Sequence, residues 1–357
     1  MSKTHFIVPF CIPHIGCPHH CVFCSQDKIT GKERPVSPEE VIPTIRRYRA
    51  TIPQKARIVE AAFFGGSFTG IPVPLQTAFL KEAYLAKKEG LIDGIRLSTR
   101  PDYIDQEVLE RLAEFCVDTI ELGVQSMSDE VLKKSARGHT CEDVVQASRK
   151  IRDYGFRLGL QMMVGLPGSR PDNEVQTAYR ICALKPDFVR IYPTLVIRGT
   201  ALEAMYKKGM YKPPSLEEAV DLCAALAAVF IRENIAIIRI GLQPTELIKE
   251  DGEVAAGPFH PSFRQLVDSR LVLWAVKWIL DQRGIELGDG LVMEANPRSL
   301  STLKGIGKEN MKTLEREYPG LKIKVLKNQS LGRSEIRFTN GKRVFEADYR
   351  QVIKVSK

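Results

Sequence analysis

The sequence predicts an α/β fold, a partial (β/α)6 TIM-like barrel with a small basic C-terminal α+β extension. Three observations predict it. Short apolar runs alternate with stretches of helical periodicity about six times before residue 200, the signature of a parallel sheet with crossover helices. Glycines and polar residues gather where each apolar run ends, and in barrels those C-terminal strand ends form the active face. From about residue 288 the pattern changes to short strands and turns, and the composition becomes basic. The expected division is a core barrel over 1–250 and an extension over 251–357, helical at 261–283 and basic at 296–357.

In order, Phe6-Ile-Val-Pro-Phe10 is the first apolar run. Ser37-Pro38-Glu39-Glu40 opens a helix, with Ser at the N-cap and Glu three residues on, and Pro43 should kink or shorten it. Val59–Phe64 is a strand that ends in Gly65-Gly66-Ser67, and a helix at 74–89 stops at Gly90. A strand at 94–98 is followed by a helix capped by Asp105, and a strand at 118–124 by helices near 128–136 and 140–154. The strand 156–163 runs into Gly165-Leu-Pro-Gly168, a helix spans 172–184 and a strand 187–192. The capping box Ser215-x-x-Glu218 starts a helix to about 232, ahead of a last strand at 235–240. Residues 251–260 read as a loop, the helix 261–283 carries Trp274 and Trp278 as core residues, and Asn340-Gly341 signals a hairpin.

The chain of 357 residues is long enough for a sizeable core, and 44% hydrophobic with 27% charged residues is ordinary globular composition. There is no secretory signal and no uninterrupted apolar span of membrane length, so the expectation is a cytoplasmic protein with no membrane partner. Eight cysteines in such a chain do not make a disulfide scaffold. Charge is uneven. Residues 296–357 hold 15 Lys+Arg against 6 Asp+Glu, while residues 1–295 hold 37 of each. All of the +9 excess lies in the last sixth of the chain, which suggests a polyanionic partner.

Three of the thiols, Cys17, Cys21 and Cys24, fall at spacing Cys-x3-Cys-x2-Cys just after the first apolar run. Soft thiolates select zinc, copper(I) or iron–sulfur clusters. A closed zinc site needs a fourth ligand, which His19 or His20 could supply, although no second Cys/His pair stands downstream at zinc spacing. Three cysteines on a four-iron cluster instead leave one iron free to bind something else.

This spacing resembles the signature of the radical S-adenosylmethionine superfamily, whose preference for an aromatic before the last cysteine is met by Phe23. The resemblance implies a four-iron, four-sulfur (4Fe–4S) cluster on Cys17, Cys21 and Cys24, with no catalytic residue required beyond these ligands. S-adenosylmethionine would chelate the open iron. Reductive cleavage, with an electron from a flavodoxin- or ferredoxin-type reductase, would then yield a 5′-deoxyadenosyl radical. Gly65-Gly66-Ser67 resembles the motif whose backbone receives the methionine amino group. Gly123-Val-Gln125-Ser126 with Arg137-Gly-His139 resembles oxygen-independent coproporphyrinogen oxidase. By that likeness Gln125 contacts the nucleoside and Arg137 the methionine carboxylate, a pairing suited to a guanidinium fork. Ser98 and Gln161 occupy further pocket positions at which the porphyrin-type relatives carry acids.

The wider resemblance, over roughly residues 5–245, is to the radical half of the catalytic subunit of Elongator, the transfer-RNA-modifying complex, and to small bacterial proteins related to it. It rests on Phe64-Gly-Gly-Ser-Phe-Thr69, Ser98-Thr-Arg-Pro-Asp102, Glu121–Ser126, Arg137–Thr140, Gly165–Gly168 and Arg190–Thr194. The residues beyond it are too few and wrongly patterned for the acetyltransferase domain of that subunit, so acetyl-coenzyme A chemistry is not implied. Leu300-Ser-Thr-Leu303-Lys-Gly305-Ile-Gly307 resembles a helix-hairpin-helix element, against the alternative of a plain packed helical hairpin. The expected function is radical chemistry in RNA modification, with transfer RNA as partner through the basic segment. Two alternatives stand beside it: a radical enzyme acting on a small molecule, and a non-catalytic iron–sulfur protein that binds nucleic acid.

Overall fold

The computed structural model describes residues 4–12, 17, 21–25, 36–53, 56–242, 248, 252–283, 290–341 and 343–355. His19 and His20, weighed above as zinc ligands, lie outside the described residues. The chain divides into two compact units: Met1–Pro214 with Leu242–Phe259, and Ser215–Gly241 with His260–Lys357.

In the first unit, strands β1 (His5–Ile12), β2 (Ile58–Gly65), β3 (Gly94–Thr99), β4 (Thr119–Gln125), β5 (Arg157–Val164) and β6 (Phe188–Pro193) lie in chain order, each parallel to the next. Parallel neighbours need long crossovers, and helices supply them. They are α1 (Val41–Thr51), α2 (Val73–Lys88), α3 (Gln106–Glu114), α4 (Asp129–Lys134), α5 (Cys141–Asp153) and α6 (Pro171–Ala183). Together they form the open, partial version of a β/α barrel. Their starts follow local chemistry. Asp105 accepts from the Val108 amide ahead of α3, and Thr140 and Asp143 form a capping box at α5. The Ser37–Glu40 capping box forms as well, but it opens a 3-10 turn at Pro38–Glu40 before α1 begins. Pro43 therefore falls in the first turn of α1 and interrupts nothing, because its missing N–H is one that a first turn leaves without a helical acceptor.

The two faces of this sheet differ sharply. One alternates Val59, Ala61 and Phe63 with Ile95 and Leu97 and with Ile120, Leu122 and Val124, all buried. The other carries Glu60, Arg96, Ser98, Glu121, Gln125, Gln161, Arg190 and Tyr192. Buried charges need partners, and here they find one another across strands. Arg96 donates to Glu60 at 2.7 Å and to Glu121 at 3.0 Å, and Arg190 donates to Glu121 at 3.0 Å and to the Tyr192 hydroxyl at 3.2 Å. His5 meets Glu60 at 2.6 Å. Burial alone would raise the Glu60 carboxyl, but the hydrogen bond to His5 and the charge of Arg96 hold it below its ordinary value. Gly159 lets Glu121 on β4 meet Arg190 on β6 across the intervening strand. A Cβ at Gly159 would stand 2.4 Å from the Phe188 ring and 2.9 Å from the Glu121 side chain.

The same unit contains α7 (Ala201–Lys207) and a two-stranded antiparallel piece of β7 (Val196–Ile197) and β9 (Val254–Ala256). The expected loop over 251–260 thus includes a short strand, which the Asp-Gly and Gly-Pro turn signals around it concealed.

The second unit holds α8 (Leu216–Arg232), with its Ser215–Glu218 capping box, β8 (Ala236–Ile240) and the long α9 (Phe263–Arg283). Trp274 on α9 is 36% exposed, so it is not the core residue its spacing suggested. A four-stranded sheet follows, built from β10 (Leu291–Ala295), β11 (Ile323–Lys327), β12 (Glu335–Asn340) and β13 (Arg343–Asp348) in the order β11-β10-β12-β13. Helices α10 (Leu300–Lys304), α11 (Glu309–Glu317) and α12 (Tyr349–Val355) complete this α+β unit. Asn340-Gly341 makes the expected hairpin, with Gly341 at φ 56°. Among the described residues no helix is long and apolar enough to cross a membrane.

Candidate functional site

Several of the residues singled out by sequence meet near the C-terminal ends of β1 to β5. At the end of β2 the chain turns at Gly65, whose φ of 103° suits glycine, and a Cβ there would fall 2.6 Å from the Ile12 carbonyl. The Gly66 amide donates to that carbonyl at 2.7 Å, so β1 and β2 end together. Next in sequence, the buried Ser67 places its Oγ 3.4 Å from Cys17 Sγ. The glycine turn and the first thiol are therefore neighbours.

The second thiol reaches β4. Cys21 is buried, and Arg137 Nη1 donates to its sulfur at 3.3 Å while Arg137 Nη2 donates to the Gly123 carbonyl at 2.6 Å. Arg137 Nε is buried without a partner in the structure. A β-bulge between Gly123 and Gln125 shifts the β4–β5 register there. Gln125 adopts a left-handed φ of 65°, rare for a non-glycine residue and characteristic of functional turns. Bulge and turn aim Gln125 at β5, where its Oε1 accepts from Gln161 Nε2 at 3.3 Å. Ser98 is half-buried on the same face of β3. Phe23 instead packs in an apolar cluster with Val196, Leu202 and Tyr211. The loop carrying Cys21 and Cys24 is tied down by Val22, whose amide donates to Ser135 O at 3.2 Å and whose carbonyl accepts from Leu202 at 2.7 Å.

Two residues stood in the quoted motifs with no role assigned to them. One is Arg100, 2% exposed, which grips Asp102 through Nε and Nη2 at 2.9 and 2.8 Å and donates to the Arg137 carbonyl at 2.5 Å. Burial works against its charge, but the hydrogen bond and charge of Asp102, followed by the charges of Cys21 and Cys17, raise its pKa. The other is His139, buried, with Nε2 3.2 Å from the Val124 carbonyl and Nδ1 without a partner. Burial first and the Arg137 charge second push its pKa down to about 4. A histidine kept neutral in the fold but free to protonate when unfolded stabilises fully only above about pH 6.5. Its contribution is lost as the pH falls toward 4, by about 3 kcal/mol at the limit. His139→Gln keeps a donor for Val124. Its unfolding free energy, from denaturant titrations between pH 7 and 4, should fall less steeply than that of the wild type, and parallel curves would refute the assignment.

Among the described residues no three Cys, His, Asp or Glu side chains converge where one metal ion would sit. A four-iron cluster takes each thiolate at a different corner, so its ligands stand further apart than those of a single ion. Three soft thiolates, with a buried guanidinium on one of them and unpartnered N–H groups on Arg137 and Arg100 beside them, fit such an anionic thiolate-bound group.

Two family models match the chain in succession: the radical SAM superfamily over residues 11–180 and the radical SAM C-terminal domain over residues 186–272. The chain belongs to the radical S-adenosylmethionine superfamily of enzymes. A tRNA uridine(34) acetyltransferase of Dehalococcoides mccartyi is 30% identical over 235 residues, 56% of this chain and 50% of that protein. Elongator complex protein 3 of Saccharomyces cerevisiae is 29% identical over 274 residues, 64% of this chain and 49% of its own length. The chain spans about half the length of the curated relatives it matches. An archaeal Elp3 of Methanocaldococcus infernus, solved with its N-terminus deleted, superposes with a TM-score of 0.60 at 23% identity, over 80% of this chain and 65% of its own, which establishes the shared fold. For a radical S-adenosylmethionine enzyme, a cluster and S-adenosylmethionine are the cofactors the superfamily implies.

Proposed function

We propose that Cys17, Cys21 and Cys24 hold a 4Fe–4S cluster beside an S-adenosylmethionine pocket formed by Gly65, Gly66, Ser67, Ser98, Gln125, Arg137 and Gln161, and that the enzyme modifies RNA. The observation that carries this reading is the reach of two separate motifs to the thiol loop, Ser67 to Cys17 and Arg137 to Cys21. When bound, the cluster would supply one-electron reductive cleavage of S-adenosylmethionine, drawing its electron from a flavodoxin- or ferredoxin-type reductase. The chain's own share is to bind and orient. Arg137 offers a fork to the methionine carboxylate, and Gln125 and Gln161 present amides to the nucleoside. Phe23 supports the cysteine loop from its apolar cluster. Anaerobic reconstitution followed by assay for 5′-deoxyadenosine tests the reading. Four irons per chain and dithionite-dependent product are expected, and a reconstituted protein without product would refute the cleavage.

Transfer RNA is the substrate that the relatives' names and the basic segment together favour. In that segment Arg337 is engaged by Glu294 and Glu346, whereas Lys308, Lys312 and Arg316, on and just before α11, are exposed, Lys312 with only a loose surface contact to Glu309 at 3.8 Å. Binding through phosphates releases counterions at about −0.7 in log K per log salt for each phosphate of a single strand, so a slope of roughly −3 to −4 is expected. Replacing Lys308, Lys312 and Arg316 together by glutamine should flatten it by about 2. An unchanged slope with transfer RNA would favour a small-molecule substrate instead.

A further inference from the structure

The Asp102–Arg100 couple has no duty in the sheet, and its burial calls for a reason. Arg100 uses three hydrogen bonds, two to Asp102 and one to the Arg137 carbonyl, and its Nη1 is buried with no partner in the structure. Asp102 is more open, its side chain 23% exposed against 3% for Arg100. Water therefore screens the carboxylate better than the guanidinium, and the pair keeps a net positive field on its inner side. Arg137, whose carbonyl Arg100 holds, itself donates to the Cys21 sulfur, and the Cys21 and Cys17 charges act on the Arg100 guanidinium. Arg137 itself lies in a turn between Ala136 and Gly138, both at positive φ, and the Arg100 bond to its carbonyl fixes that turn.

We propose that Arg100 is a positioning residue for the cluster pocket. Braced by Asp102, it clamps the backbone of Arg137 and sets a fixed positive charge behind the Cys21 and Cys17 thiolates, so that the couple tunes the reduction potential of the cluster. The proposal rests on the cluster reading above and extends it to two residues outside the ligand set and the cofactor pocket. Reduction adds an electron, so a nearby positive charge raises the potential and a nearby negative charge lowers it. The two members of the couple must therefore act with opposite signs. A scaffold without an electrostatic role would not show that.

The test is an EPR-monitored redox titration of the reconstituted enzyme and three variants, with iron content and S-adenosylmethionine affinity measured alongside. Arg100→Gln should shift the midpoint potential negative, and Asp102→Asn should shift it positive by unmasking Arg100. Arg100→Lys keeps the charge and loses the fork. Its potential should stay near that of the wild type, while its S-adenosylmethionine dissociation constant rises about tenfold as the Arg137 turn loosens. Shifts of the same sign in Arg100→Gln and Asp102→Asn, or none in either, would overturn the proposal. So would loss of iron from all three variants, which would make the couple a scaffold. If the wild type itself assembles no four-iron cluster, the cluster reading fails and takes this proposal with it. A loaded wild type with unresponsive variants removes this proposal alone.

Discussion

Cys21→Ala is expected to come out of anaerobic reconstitution with its four-iron cluster lost and no 5′-deoxyadenosine above background. A cluster that keeps one iron open has no spare protein ligand, so each of Cys17, Cys21 and Cys24 should be indispensable. Cys21 makes the sharpest case because its removal also strands Arg137, which would keep only the Gly123 carbonyl. Cys11→Ala is the control. Cys11 lies on β1 and faces Gly65 at the strand end, close enough in sequence to be mistaken for a ligand, and its variant should keep iron and activity. Full iron and turnover in Cys21→Ala would remove the basis of the assignment.

Glu121→Ala should be the most destabilising single change in the sheet, by about 3–5 kcal/mol. Glu121 is 4% exposed and neutralises two arginines, Arg96 on the neighbouring β3 and Arg190 on β6, one strand further off. Deleting it leaves both guanidiniums facing a low-dielectric space, with only Glu60 to compensate Arg96. Removing an exposed pair makes the contrast: Lys134→Ala, which breaks the surface contact with Glu130, should cost no more than about 0.5 kcal/mol. Chemical denaturation of the three proteins decides. A Glu121→Ala loss as small as that of Lys134→Ala would mean that water reaches the network.

What sequence made legible was periodic or local. The strand and helix order over 58–193 follows from apolar spacing, and the caps at Ser37, Asp105, Thr140 and Ser215 follow from residues three apart. The three thiols are read from an eight-residue window. The charged lattice under the pocket was not legible, although each member stands out as a charge inside an apolar strand. The partners of Arg96 lie 36 and 25 residues away and that of Arg190 lies 69, distances set by crossover length and strand register and carrying no local signature. Arg100 was quoted within Ser98–Asp102 and still missed, because its role depends on a backbone carbonyl 37 residues downstream. Phe23 was read by likeness alone, and its packing against Val196, Leu202 and Tyr211, more than 170 residues downstream, carries no local signature either.

The two bonds that tie down Val22 also bear on how the protein matures. Ser135 and Leu202 come off the ribosome long after the cysteine loop, and at about 5–20 residues per second the wait for Leu202 is on the order of ten seconds or more. Through that interval the thiols are displayed on a nascent chain without their anchors, open to oxidation and to stray metal ions. The loop made first is thus among the last to be set, and a cluster proposed to sit on it would be delivered to the finished fold.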